Sequence, residues 1–125
     1  MLGKKDAAAN IAVKDLAKAR KFYEGTLGLK EVGNEGEEVV AYRSGSSTIL
    51  VYQSQYAGTN KATAMTWTAG QEIDGIVGDL RGKGVKFEHY DMPGMKREGD
   101  IHVAGDLRAA WFKDPDGNIL SIVSG

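Results

Sequence analysis

The chain contains no cysteine, which excludes disulfide bonds, cysteine nucleophiles, thiolate zinc sites and iron–sulfur clusters. It has no excess of basic charge either, because 16 basic side chains face 17 acidic ones. This balance gives none of the net positive field that holds nucleic acid, so we expect no nucleic-acid partner. No run of about 18 apolar residues occurs, so the sequence predicts no membrane span.

An apolar secretory signal is also missing from residues 1–6, and we therefore expect a cytoplasmic protein. A length of 125 residues is typical of one domain, so we expect a single domain over residues 1–125. Proline is scarce, with two residues, whereas glycine is abundant, with 17. The glycines are scattered singly, which indicates many tight turns between short elements rather than a flexible linker.

The first half of the chain predicts one amphipathic helix among four strands. Asp15 can cap a helix over 16–27, where apolar residues recur at helical spacing, and Gly28 suits the C-terminal end of that helix. Short apolar and β-branched runs predict strands at 7–13, 29–32, 38–43 and 48–53. The polar stretch at 54–61 predicts a connection.

The second half repeats this pattern. A helix is predicted over 71–83 and ends at Gly84, which lies 56 positions after Gly28. Strands are predicted at 62–68, 85–90, 101–103, 107–113 and 119–123, with a turn at 114–118. With one additional short strand in the second half, the order βαβββ therefore occurs twice, which indicates an internal duplication. Each half has too little apolar surface to form a core on its own, so we expect the two halves to share one.

Several motifs resemble those of the vicinal oxygen chelate superfamily, which contains glyoxalases, bleomycin-resistance proteins and extradiol dioxygenases. The motifs are Val13-Lys14-Asp15-Leu16, Ala19-Arg20-Lys21-Phe22-Tyr23, Leu27-Gly28-Leu29 and Trp111-Phe112-Lys113-Asp114-Pro115-Asp116-Gly117-Asn118. The resemblance implies an α+β fold of two tandem βαβββ modules, over about 7–54 and 61–125, whose curved mixed sheets form a ligand cup. It also implies a small-molecule ligand and a homodimer. It does not select one activity, because this fold hosts several.

The resemblance also implies where a divalent metal would be bound. The corresponding positions here are Ala8 in the first strand, Ala62 or Ala64 in the first strand of the second module, Leu50, and Ser121 in the last strand. None of these side chains is a plausible ligand, since methyl groups have no lone pair and a lone hydroxyl binds metals weakly. We therefore expect no metal site and no cofactor, and whether the protein is an enzyme stays open.

The two histidines, His89 and His102, leave an alternative open. Together with Glu88, Asp91, Glu98 or Asp100 they could form a relocated metal site of a lyase, isomerase or dioxygenase. The simpler interpretation is that both are solvated or hydrogen-bonded. His102 lies on a predicted strand, where its imidazole could exchange one hydrogen bond with a ligand.

Strand alternation selects the side chains that would line the implied cup. In the strand at 107–113, Ala109 and Trp111 should face the cup, whereas Ala110 and Phe112 should pack beneath a helix. The candidate ligand-binding residues are Asn10, Tyr42, Tyr52, Trp67, His102, Trp111 and Ser121. This lining predicts metal-independent binding of a small aromatic or cationic molecule. A further alternative is a non-catalytic dimeric module whose aromatic side chains fill the cup. The segment at 90–97 is either a lid or a surface crossover.

Overall fold

The fold is α+β with two mixed sheets, as the family resemblance implies. A computed structural model describes residues 1–35 and 38–125. The chain divides into two compact units, Met1–Thr59 and Asn60–Gly125, and the division lies inside the predicted connection at 54–61. The single core shared by both halves stays a prediction.

The described part of unit 1, residues 1–35 and 38–59, contains four strands and one helical segment. The elements are a 3₁₀ turn at Leu2–Lys4, β1 (Ala9–Val13), α1 (Leu16–Arg20), a π-helical turn (Lys21–Thr26), β2 (Lys30–Glu35), β3 (Val39–Ser44) and β4 (Ser47–Gln53). The strand order is β1-β4-β3-β2, in which β1 and β4 are parallel and the other neighbours antiparallel. The four predicted strands are confirmed, and their ends differ from the prediction by at most three residues.

The helical segment begins where the sequence predicts it. The Asp15 carboxylate accepts hydrogen bonds from the backbone N–H groups of Ala17 at 2.9 Å and Lys18 at 3.2 Å, and so caps the first turn. One sheet face is buried with the helical segment. Its members are Ile11, Val13, Val40, Tyr42, Ile49 and Val51, with Ala19 and Tyr23 from the helical side.

Unit 2 contains six strands and one longer helix. The elements are β5 (Thr63–Thr68), a 3₁₀ turn (Gly70–Glu72), α2 (Ile73–Gly82), β6 (Phe87–Glu88), β7 (Lys96–Glu98), β8 (Ile101–Ala104), β9 (Leu107–Lys113) and β10 (Ile119–Val123). The strand order is β5-β10-β9-β8-β7, and β6 pairs with β9. As in unit 1, the first strand lies parallel to the last, since β5 pairs with β10.

Two strands of unit 2 differ from the prediction. The strand predicted over 85–90 is reduced to β6, because residues 89–95 leave the sheet as a loop. β7 was not predicted, since its sequence of Lys96, Arg97 and Glu98 has no apolar residue from which alternation could be recognised. Charged side chains are common on a strand that closes a sheet edge, which is where β7 lies.

Helix α2 covers one face of the unit 2 sheet. Its buried residues, Ile73, Val77 and Leu80, recur at three- and four-residue spacing. The helix contacts β9, whose Ala110 and Phe112 are buried as predicted. No helix in residues 1–35 or 38–125 is long and apolar enough to cross a membrane.

Candidate functional site

The face of the unit 2 sheet that is opposite α2 carries, among others, the side chains of Ser121, Thr66, Trp111, Ala109 and His102. Ser121 of β10 pairs with Thr66 of β5 on one side and with Trp111 of β9 on the other. Ala109, two residues before Trp111, pairs with His102 of β8. Directly paired residues point to the same side of a sheet, as do residues two apart on one strand. We call this set the Trp111 face.

Three of the predicted ligand-binding residues, His102, Trp111 and Ser121, therefore lie on one face. Trp67 does not join them, which corrects the sequence-based expectation. It pairs with Ile122 and stacks on Phe112 with 6.4 Å between ring centroids, so it lies on the face that α2 covers. The pairing of β5 skips Ala64, and this irregularity explains why alternation gave an ambiguous orientation for Trp67.

Unit 1 separates its predicted residues in the same way. Asn10 pairs with Leu50, and Tyr52 lies two residues further along β4, so these side chains share the face that points away from the helical segment. Tyr42 lies on the opposite, buried face, because its partner in β4 is Ile49. Its ring stacks on Tyr23, so Tyr42 is a core residue, which corrects its assignment to the cup.

Trp111 is half-buried against two other rings of unit 2. The Tyr90 ring packs edge-to-face on it with centroids 5.5 Å apart, and the His102 ring does so at 4.9 Å. The indole N–H donates to the Thr63 hydroxyl at 3.3 Å. Burial raises the pKa of Tyr90, with a smaller contribution from Glu88, so its phenol stays neutral over the physiological range. The cluster thus presents neutral aromatic surface.

His102 is buried, with 1% of its surface exposed. Its Nε2 accepts a hydrogen bond from the backbone N–H of Tyr90 at 2.9 Å. Among the residues that the structure describes, Nδ1 of this ring has no hydrogen-bond partner. His102 therefore holds Tyr90 next to Trp111 with one nitrogen and leaves the other unused.

A pair of hydroxyl groups completes the Trp111 face. The Oγ1 atom of Thr66 and the Oγ atom of Ser121 lie 2.6 Å apart and share one hydrogen bond. Ser121 is buried and Thr66 is exposed, so the pair reaches from the sheet interior to the surface. Only one of the two hydroxyl protons is used in the mutual bond, which leaves one donor for another group.

His89 belongs to a charged cluster beside this face. Its Nε2 donates to Asp100 at 2.7 Å, its Nδ1 accepts from Arg97, and Arg81 approaches Asp100 to 2.8 Å. The hydrogen bond from His89, followed by the interaction with Arg81, lowers the pKa of the Asp100 carboxyl. Both nitrogens of His89 are therefore engaged.

Sequence reasoning did not single out Tyr90, Thr63 or Thr66 as contributors. Tyr90 lies at the predicted end of a strand and at the start of the predicted lid segment, so an aromatic residue at a strand–loop boundary was the available signal. Thr66 follows from the parallel pairing of β5 with β10, which periodicity within one strand does not provide.

The comparison with protein families decides the membership of the chain. The model of the glyoxalase/bleomycin resistance protein/dioxygenase superfamily matches residues 7–122. The chain belongs to this superfamily. No curated protein matches the sequence.

Solved structures of the superfamily fold are similar throughout the chain. A glyoxalase family protein from Enterococcus faecalis has a TM-score of 0.72 at 16% identity, covering 98% of this chain and 99% of that one. The fosfomycin resistance protein FosX from Listeria monocytogenes has a TM-score of 0.72 at 16% identity, with 95% and 91% covered. A lactoylglutathione lyase from Agrobacterium tumefaciens has a TM-score of 0.71 at 16% identity, with 96% and 92% covered. At these identities the likeness concerns the fold.

The divalent metal implied by the superfamily does not fit the residues present. Beside Ser121 the structure places Thr66, and beside Leu50 it places Asn10, rather than the alanines at 8, 62 or 64. These positions provide no imidazole and no carboxylate, the groups that bind such metals firmly. In the two described stretches, 1–35 and 38–125, no three His, Asp or Glu side chains form a cluster that could hold a metal.

The relocated histidine site receives no support from the geometry. The rings of His89 and His102 are 6.5 Å apart. Three of their four nitrogens already form hydrogen bonds within the described chain, to Asp100, Arg97 and Tyr90. A metal bound to Nδ1 of His102 would have to break the hydrogen bond of His89 with Arg97 or with Asp100 to reach a second imidazole.

Proposed function

We propose that the chain is a binding protein of the glyoxalase/bleomycin resistance superfamily that takes up a small planar molecule at Trp111 without a divalent metal. The observation that carries the proposal is the composition of the Trp111 face. A half-buried indole lies beside a hydroxyl pair and a buried histidine. Aromatic surface with a few orienting polar groups is the usual lining of a small-molecule site.

The charges around Trp111 favour a neutral ligand over a cationic one. Glu88, which pairs with Trp111 across the sheet, forms an ion pair with Lys113 at 3.4 Å. On the His102 side, the cross-strand neighbour is the cation Arg97. A cation stacked on the indole would thus meet a compensated carboxylate and a like charge, so we propose a neutral aromatic ligand.

The metal-independent part of the proposal is supported by the chemistry of Thr66 and Ser121. Two neutral hydroxyl groups that already share a hydrogen bond compete poorly with water for a divalent cation, but they bind carbonyl and hydroxyl groups readily. The roles of Asn10 and Tyr52, the homodimer and the cytoplasmic location stay predictions.

The test uses the two tryptophans as a matched pair. Their indole N–H signals are followed by ¹⁵N–¹H NMR while quinoline or its cation N-methylquinolinium is added, with and without EDTA. Quinoline should shift the Trp111 signal independently of EDTA and more strongly than the cation. Trp111→Ala removes the reporting indole, so its affinity is measured by calorimetry, and binding should weaken by about 1–3 kcal/mol, the value of a buried aromatic contact.

Trp67→Phe is the control, because Trp67 lies on the opposite face and should leave the binding of quinoline unchanged. Binding that requires added metal would contradict metal independence. If neither probe shifts the Trp111 signal, the aromatic cluster is structural filling, and the protein corresponds to the non-catalytic module instead.

A further inference from the structure

The hydrogen bonds of His102 define where its proton lies. Because Nε2 accepts from the Tyr90 N–H at 2.9 Å, Nε2 carries no hydrogen. A neutral imidazole then carries its one hydrogen on Nδ1, so Nδ1 is a donor. The assignment rests on the network, because a hydrogen on Nε2 would point at another N–H group.

This donor is buried and unpaired. Within the described chain Nδ1 has no hydrogen-bond partner, although the residue is 1% exposed. More than about nine tenths of buried polar groups in proteins have a partner, and an unsatisfied donor costs about 1–3 kcal/mol. The adjacent Trp111 ring, with its centroid 4.9 Å from that of His102, offers only a weak N–H···π contact in place of an oxygen acceptor.

Among the described residues, the two other rings next to His102 do not supply a better acceptor. The Tyr90 and His89 ring centroids lie 6.2 and 6.5 Å from that of His102. The nitrogens of His89 are engaged with Asp100 and Arg97. An acceptor atom of a bound ligand would therefore satisfy the Nδ1–H donor of His102.

We propose that the ligand bound at Trp111 carries a carbonyl-type oxygen directly on its planar ring system, and that this oxygen accepts a hydrogen bond from Nδ1–H of His102. The inference rests on the proposed function and narrows it to aryl ketones, aryl amides and similar molecules. The Trp111 ring binds the aromatic part, and His102 selects the oxygen that is conjugated with it.

In this proposal the Tyr90 side chain moves to give the ligand access to Nδ1, because its ring lies against both Trp111 and His102. Tyr90 begins a loop that turns at Gly94, whose φ of +79° is accessible to glycine, and the Met95 N–H donates to the Met92 carbonyl at 3.1 Å in that turn. The backbone bond from Tyr90 to His102 can persist while the phenol rotates away from Trp111. The ligand ring then takes the place of the phenol ring.

The experiment compares acetophenone with α-methylstyrene, which has the same shape with a CH₂ group in place of the oxygen. Affinities are measured from the Trp111 indole signal. Acetophenone should bind about 10-fold more tightly, the value of one hydrogen bond to a buried donor. A long-range ¹⁵N–¹H spectrum should show His102 protonated on Nδ1, with this proton moving downfield when acetophenone binds.

His102→Met is the matched variant, because its thioether sulfur can still accept weakly from the Tyr90 N–H and carries no donor. It should bind both probes with equal affinity, because the donor that distinguishes them is absent. Equal binding of both probes to the natural chain, or a preference that persists in the variant, would overturn the acceptor inference and leave the aromatic site standing. If neither probe shifts Trp111, both proposals fail. Should the variant not fold, the response of the His102 proton in the natural chain decides.

Discussion

At the scale of single residues, Asp114 shows how a buried charge can be accommodated in a turn. One of its carboxylate oxygens accepts the backbone N–H groups of Asp116 and Asn118, both at 2.9 Å, and the other accepts the Asn118 side-chain amide at 2.8 Å. Gly117 completes the turn with a φ of +89°, which other residues rarely adopt. The turn joins β9 to β10 and thereby sets Trp111 opposite Ser121.

Asp114→Ala should lower the free energy of unfolding by about 3 kcal/mol, because it removes a charged acceptor from several donors inside the turn. Asp114→Asn retains one oxygen for the two backbone N–H groups and should cost clearly less, about 1 kcal/mol. Urea titrations followed by circular dichroism measure both values. Equal losses would show that the turn depends on the negative charge rather than on the acceptor geometry.

At the scale of elements, the first helical segment departs most from its prediction. Periodicity predicts one helix over 16–27, whereas α1 ends at Arg20 and continues as the π-helical turn, in which the Leu27 N–H donates to the Phe22 carbonyl five residues back. Six residues are too few for apolar spacing to distinguish the two kinds of helix. The wider turn directs Tyr23 onto Tyr42 and places Glu24 at the Tyr42 hydroxyl.

The limited information in the spacing of apolar residues also explains which site residues could be predicted. Trp111 and Ser121 were both predicted on the cup-facing side of their strands, and the pairing of β9 with β10 places them opposite each other, because the turn between these strands fixes where β10 begins. Tyr42 was assigned to the wrong face because β3 begins with apolar residues on both faces. Side-chain alternation therefore does not indicate which face of β3 is buried. The partner of Nε2 in His102 depends on a loop amide, and no pattern of side chains predicts the path of that backbone.

The contact between β3 and the π-helical turn gives a prediction at this scale. The Tyr42 hydroxyl donates to the Glu24 carboxylate at 2.7 Å, and burial followed by this carboxylate raises the pKa of the phenol. Tyr42→Phe should lower the free energy of unfolding by about 1–2 kcal/mol. Glu24→Gln keeps an acceptor and loses mainly the exposed ion pair with Arg20, so it should cost at most about 0.5 kcal/mol. A larger loss in the glutamine variant would contradict this ranking.

At the scale of the molecule, the two units repeat one topology with different chemistry. Both pair their first strand in parallel with their last and continue antiparallel from there. The repeated order could be predicted from the sequence, whereas the parallel pairing needed the resemblance or the structure. In unit 2, two ion pairs join helix α2 to strand and turn residues, Asp74 with Arg108 and Arg81 with Asp100, and in unit 1 Arg20 of α1 pairs with Glu31 of β2.

These ion pairs of Asp74 and Asp100 make the stability of the protein sensitive to acid. Hydrogen bonds from His89 and Arg81 lower the pKa of Asp100, and a hydrogen bond from Arg108 lowers that of Asp74. The pKa of an aspartate side chain in an unfolded chain is about 3.9. A folded pKa below that value adds stability that is fully present above it and is lost as the pH falls through the folded pKa.

Asp100→Asn should therefore lower the midpoint of thermal unfolding by a constant amount from about pH 6 to about pH 5, and by progressively less as the pH falls toward about 2.5. Asparagine carries no charge at any pH, whereas Asp100 loses its charge and the stabilisation that depends on it when it is protonated. The unfolding midpoints of the two proteins therefore converge in acid. Thermal melts followed by circular dichroism at closely spaced pH values measure this. Asp106→Asn removes the same charge from an exposed turn between β8 and β9 and should follow the natural chain throughout. Parallel curves for Asp100→Asn at every pH would show that the ties to His89 and Arg81 do not stabilise the folded state through the charge of Asp100.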